Sequence, residues 1–306
     1  MYHYVRSEAP ALPHFIYLHV DDFVRQIDLL LEEERPLSRA EFSNYFVTGE
    51  VPADGFVLTF DDGFREHFEN VIPALLKRGL WGIFFVPTRI LTTPKLLDVH
   101  RVHHLLGAFG GEFMMSQAKP LISDDMIMAG RRSEFSNRSY KNQIQSENVT
   151  AFKQLFNYFL VPQARSDILD QLMAKFFDEQ DLHRDLYMTR EMVSEARNAG
   201  MVIGSHGVAH EVMTTLSETD RETEYVESRD CLLDAAGTMD PPLFCYPYGI
   251  SGNYDRAWSN ELSAAGYSGA FCAEAINGGR ANGSSDRFSL PRIDCAALPH
   301  GKARGT

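Results

Sequence analysis

Two acids stand side by side where an apolar stretch ends. Val57, Leu58, Thr59 and Phe60 have strand character, and Asp61, Asp62 and Gly63 follow directly. Adjacent carboxylates repel, so keeping both ionised calls for solvent, a helix N-terminus or a cation beside them. Taken alone, the pair reads equally well as a turn in which one acid caps the next helix. A second polar cluster, IGSHGVAH at residues 203–210, ends another apolar stretch and sets His206 and His210 four residues apart. Two neutral imidazoles at that spacing can face one point, a common arrangement around a divalent cation. With one carboxylate they form a three-ligand set that leaves room for water and substrate. The other aspartate would then act as base toward a water whose pKa the cation lowers to about 7. A third apolar stretch ends in Pro247-Tyr248-Gly249, a turn that could offer a backbone N–H to a developing oxyanion while the Tyr248 ring walls the pocket.

Such residues need rigid strand ends to hold them, and the chain supplies alternating strand and helix patterns. A short strand is expected at Met1–Val5, then a helix carrying Phe23, Ile27, Leu30 and Leu31 on one face. The strand 56–60 leads into a helix that stops at Gly79, and WGIFFVPT at 81–88 reads as a fully buried strand. The same alternation returns late. A helix runs from Thr189 to Gly200, MVIGSH is a strand, a helix follows at 221–237, and LFCYPYG, YSGAFCA and RFSLPRID are further strands. Repeated β-then-α units imply a parallel sheet, closed as a barrel or open and doubly wound. Residues 94–186 break the pattern. They read as a mainly helical insertion that either roofs the site or buttresses the fold, with an aperiodic polar middle at 130–150.

The composition is that of an ordinary globular protein, 306 residues with 44% hydrophobic and 23% charged. A net charge of −13 argues against a nucleic-acid partner, and no run approaches a membrane span. The four cysteines, Cys231, Cys245, Cys272 and Cys295, show no C-x-x-C spacing and read as reduced thiols. Together with an N-terminus that lacks an apolar leader, they point to a cytoplasmic protein.

T-F-D-D-G, S-H-x-x-x-H and F-x-Y-P-Y-G, in this order and each at a strand end, resemble the motifs of the NodB-homology polysaccharide deacetylases, carbohydrate esterase family four. The opening YHYV and the helix containing FVRQIDLL are similar to that family as well. The resemblance covers most of the chain outside 94–186. It implies an α/β fold, a distorted (β/α) barrel, forming a single domain over 1–306 with the helical insertion inside it. It also implies metal-dependent removal of an N-acyl group from an amino sugar. By motif position Asp61 would be the general base, Asp62, His206 and His210 the metal ligands, and Tyr248 the backbone oxyanion donor.

The chain departs from the family pattern at two points. Cys245 stands where the family has an arginine, and no Asp-x-x-Asp-Trp motif is present. The strand 287–294 offers Arg292 in exchange, expected beside Asp61. The family's closing Leu-x-His, whose histidine is the general acid, has one literal match, Leu298-Pro299-His300 near the C-terminus, where chance explains it. His3 in YHYV is the other candidate acid, and His100, His103 and His104 read as surface residues of the insertion. The expected activity is hydrolysis of an N-acetyl or N-formyl amino sugar, nucleotide-linked, lipid-linked or oligosaccharide, in surface-glycan biosynthesis such as that of lipopolysaccharide O-antigen. The expected cofactor is one divalent ion, zinc, with Co2+, Mn2+ or Ni2+ suiting the same ligands. Acyl transfer between amines at the same site, and a non-catalytic glycan-binding protein, are the alternatives.

Overall fold

A computed structural model describes residues 1–128, 130–131, 145–274 and 286–301. Most of the polar stretch 130–150 lies outside them. The chain divides into two compact units. One comprises Met1–Ser7, Tyr17–Thr93 and Asp185–Ala303; the other is built from Glu8–Ile16 and Pro94–Arg184, with Arg304–Thr306.

The first unit is built on a parallel sheet. Strands β1 (Val5–Arg6) and β2 (Leu18–His19) pair with each other. Strands β3 (Leu58–Asp61), β4 (Gly82–Val86), β5 (Val202–Ser205), β6 (Leu243–Cys245) and β7 (Gly269–Phe271) pair in sequential order, every neighbour parallel. Every residue of these five strands is buried, which is why they read as unbroken apolar runs instead of alternating ones. Sequential parallel order curls the sheet the way a (β/α) barrel does. Its two edges are extended by single bridges, Tyr2 beside Phe60 and Leu290 beside Phe271. The backbone N–H of Cys295 donates to the Met1 carbonyl at 3.1 Å, which ties the segments flanking the two edges together, and the curled sheet has the form of a distorted half-barrel. The expected strand at 287–294 is thus reduced to one bridge. Pro291 lacks the N–H that would continue the ladder.

Helix Arg39–Thr48 packs Phe42 and Phe46 against Ile83, Phe85, Val202, Leu243 and Phe271. This helix was not among the expected elements, although its signal is present in the sequence. Ser38 and Glu41 form a capping box, and Gly49 ends the helix at φ +77°.

The second unit is helical. Asp98–Ala118, kinked at Gly110, packs against Glu147–Gln154 and Pro162–Phe176. Arg101, 2% exposed, holds it together through Asp98, Asp170 and Glu179 at 2.6–3.1 Å. His100 and His104 are buried in this packing, the ring Nδ1 of His104 lying 2.9 Å from the His100 carbonyl, so they are not surface residues.

Candidate metal centre and active site

All three strand-end motifs belong to the barrel unit. Asp61 is the last residue of β3, His206 follows β5, and Tyr248 lies three residues past β6. Parallel neighbours end at the same rim, so residues distant in sequence arrive together.

The backbone at this rim is strained where the chemistry lies. Four non-glycine residues among those described have positive φ: Asp62 (+78°), His210 (+58°), Tyr248 (+51°) and His300 (+61°). Three of the four are motif residues. A left-handed non-glycine residue costs on the order of 1–2 kcal/mol, and such strain concentrates at functional sites.

Asp62 Oδ1 lies 3.6 Å from His206 Nε2 and 3.4 Å from His210 Nε2. Ligands about 2.0–2.1 Å from a tetrahedral ion stand roughly 3.4 Å apart, so the three atoms match the donor set and size of a divalent cation site. The remaining nitrogen of His206, Nδ1, donates to the Cys245 carbonyl at 2.7 Å, which leaves the Nε2 lone pair aimed at Asp62. Burial lowers the His206 pKa and keeps the ring neutral despite both nearby aspartates.

The loop carrying the two histidines is held from two sides. His206 N–H donates to Val86 O, and the N–H groups of Thr88 and Arg89 donate to Gly207 O and Val208 O, at 2.9–3.1 Å. From helix Glu218–Ala236, the buried Glu224 accepts the N–H groups of Val208 at 2.6 Å and Ala209 at 3.1 Å. Burial raises the Glu224 pKa to about 7, with those two N–H groups opposing the rise. Gly207 is required here, since its φ is +74° and a Cβ would stand 2.5 Å from Glu224 Oε2. Glu224 was not among the site residues expected from the sequence. One acid among several on a charged helix gives no signal that its carboxylate faces a loop.

Asp61 is 1% exposed and clamped by Arg292. Nη1 donates to Oδ1 at 2.6 Å and Nη2 to Oδ2 at 2.8 Å, a two-pronged contact. Arg292 also donates to the Cys272 carbonyl, to Thr59 Oγ1 and to Cys245 Sγ, the last at 3.0 Å. Burial pushes the Asp61 carboxyl up, but the Arg292 guanidinium more than offsets it and holds it well below the usual carboxylate range. Asp61, His206 and Cys245 form a second group with potential ligand atoms within 4.8 Å of one another. The guanidinium already bridges Asp61 and Cys245, and burial raises the Cys245 thiol well above its ordinary pKa. A cation there would face a fixed positive charge.

His3 Nε2 is 3.7 Å from Asp61 Oδ2, with its side chain 41% exposed. The Tyr248 ring packs edge-on against His210 at 4.8 Å, and its carbonyl accepts Asn253 Nδ2 at 2.8 Å. His300 is exposed on the segment after Cys295 and has no described contact with Asp61 or Asp62. His100, His103 and His104 belong to the other unit.

The polysaccharide deacetylase family model matches residues 169–270, one third of the chain, a span that includes His206, His210 and Tyr248. No curated protein matches the chain. Among solved structures it is similar to the Streptococcus pyogenes deacetylase PplD in complex with acetate, with 16% identity, TM-score 0.56, and coverage of 96% of this chain and 89% of that one. IcaB from Ammonifex degensii gives 16% identity, TM-score 0.54, and coverage of 96% and 91%. A de-N-acetylase from Aggregatibacter actinomycetemcomitans gives 13% identity, TM-score 0.52, and coverage of 95% and 92%. At these identities the likeness is one of fold. The resemblance to the polysaccharide deacetylases is therefore borne out twice, by the family model over residues 169–270 and by the fold over nearly the whole chain.

Proposed function

We propose that this protein is a metal-dependent N-deacylase that hydrolyses the acetyl or formyl group of an acylated amino sugar. Carbohydrate deacetylation is the activity that the family model and the fold support. The observation carrying the finer reading is the Asp61-Asp62 step. One carboxylate is locked by Arg292, and its neighbour converges with two imidazole nitrogens. A pure binding site needs no such division of labour.

A divalent ion held by Asp62, His206 and His210, with zinc the first expectation for this mixed nitrogen and oxygen set, would lower the pKa of water and polarise the acyl carbonyl. The residues supply the rest. Asp61, oriented by Arg292, takes the proton of the attacking water. The Tyr248 backbone N–H donates to the oxyanion that develops on the carbonyl oxygen. His3, in its protonated form, gives a proton to the amine nitrogen as the C–N bond breaks. The products are a carboxylic acid and a free amine.

The Aggregatibacter protein is described as a de-N-acetylase, which favours an amide over an ester as the bond cut. All four cysteines are free thiols, in keeping with a reducing compartment. Among the described residues no helix is long and apolar enough to cross a membrane. A nucleotide-linked or lipid-linked precursor of a surface glycan, as in O-antigen biosynthesis, is the substrate class we favour for a cytoplasmic enzyme.

The test is incubation of the purified protein with N-acetyl and N-formyl amino sugars in free, nucleotide-linked, lipid-linked and oligosaccharide form, followed by mass detection. Release of acetate or formate supports hydrolysis. An acyl group retained on a second amine assigns transfer instead, and unchanged sugars throughout would overturn the proposal.

A further inference from the structure

His67 is fully buried, yet the chemistry outlined above gives it no part. It opens a single π-helical turn, His67–Val71, shortly after Asp62 and just before Pro73. Such turns recur at functional sites. Its ring lies among Phe60, Phe64 and Phe84, with centroids 5.5–5.9 Å away. Its Nε2 lies 2.6 Å from the His3 carbonyl oxygen. A carbonyl only accepts, so Nε2 carries the hydrogen and donates it. Burial lowers the His67 pKa to about 4, leaving a neutral ring with one N–H, and that N–H is committed to His3.

Two neighbours act on the same strip of backbone. Glu66 Oε1 accepts the Val5 N–H at 2.5 Å, and Asn70 Nδ2 donates to the Val5 carbonyl at 3.1 Å. Glu66 Oε2 also pairs with Arg6 at 2.7 Å. On the other side of the strip Tyr2 is bridged to β3, its N–H donating to Thr59 O and its carbonyl accepting from Asp61 N–H. Among the described residues Tyr2 makes the bridge of this strip to β3, and the His3 carbonyl, one residue on, points away from β3 toward His67. The His3 ring itself is 41% exposed, so packing does little to place it 3.7 Å from Asp61.

We propose that His67, assisted by Glu66 and Asn70, is a positioning clip that sets the His3 ring beside Asp61 for protonation of the leaving amine. The inference rests on the reading of His3 as general acid. His67 touches no substrate; it acts through the His3 backbone.

The experiment compares two substrates in metal-loaded enzyme: the N-acyl amino sugar hydrolysed in the panel above, and 4-nitrophenyl acetate, whose nitrophenolate leaves without needing a proton. His67→Phe keeps the ring volume and removes the donor. Its kcat on the amide should fall roughly 10- to 100-fold, a part of the 10²–10⁴-fold that acid–base catalysis supplies. Ester turnover and metal content should stay near wild type. His67→Gln, which restores an N–H donor, should recover most of the loss, and His3→Gln should show the same split at larger size. Asn70→Ala removes a single contact and should show it at smaller size, which keeps the inference testable if His67→Phe does not fold. Amide and ester falling together in folded His67 and Asn70 variants, or neither falling, would overturn the clip. A His3→Gln enzyme with no split overturns the acid role and the clip with it. A wild type that cleaves the ester but no N-acyl sugar removes the proposed function itself.

Discussion

Breaking the Arg292–Asp61 contact should cost far more than a surface ion pair, and removing both partners should cost less than removing either. Both residues are buried, at 7% and 1% exposure, and two hydrogen bonds of 2.6 and 2.8 Å join their side chains. Removing one member of a buried pair strands the other charge and costs about 3–5 kcal/mol. Arg292→Met and Asp61→Leu should each lose that much. In the double variant neither charge remains. What persists is the Cys272 carbonyl that Arg292 also satisfies, an unpaired buried group worth about 1–3 kcal/mol. The double variant should therefore lie about 1–3 kcal/mol below wild type, against the roughly 6–10 that additivity gives. Urea titration followed by tryptophan fluorescence measures this directly, since Trp81 and Trp258 both lie in the barrel unit. Chelator is present throughout, so that cation binding does not contribute to stability. Losses that add to within about 0.5 kcal/mol would refute the reasoning, because uncoupled sites behave that way.

Three further outcomes follow from the site. Asp61→Asn should keep stoichiometric metal, read by elemental analysis, while turnover falls by roughly 10²–10⁴; a variant within a few-fold of wild type would move the base elsewhere. His206→Ala should lose the metal, and equal content in variant and wild type would dismiss His206 as a ligand. Glu224→Leu strands the Val208 and Ala209 N–H groups and should weaken metal affinity by roughly 10- to 100-fold in a chelator competition, with kcat of the saturated enzyme nearly unchanged. Unaltered affinity would mean the loop holds its shape without the carboxylate.

The barrel strands were legible because buried parallel strands announce themselves as continuous apolar runs, and Ile83–Val86 or Val202–Ile203 admit few other readings. The edges were harder. Tyr2 and Leu290 pair through single bridges, and nothing local distinguishes one bridge from a strand. Arg292 could be proposed as Asp61's partner because Cys245 left a charge unmatched, and the structure places the two in contact. Glu224 and His67 were invisible for the opposite reason. Each sits in a helix-like segment rich in charged residues, and only packing decides that these two turn inward. The buried His100 and His104 were misread in the same way.

The Asp61–Arg292 contact spans 231 residues of sequence, and this bears on when the site can form during synthesis. A ribosome adding about 5–20 residues per second needs roughly 10–50 s to travel from one partner to the other. Throughout that interval the growing chain carries its acid pair without the guanidinium that stabilises Asp61 as a buried anion. Until the segment carrying Arg292 docks beside β7, burying Asp61 as an anion carries the cost of an unpaired charge, about 3–5 kcal/mol. The charge-paired site is in this sense a late event in the life of the nascent chain, completed when Arg292 reaches Asp61.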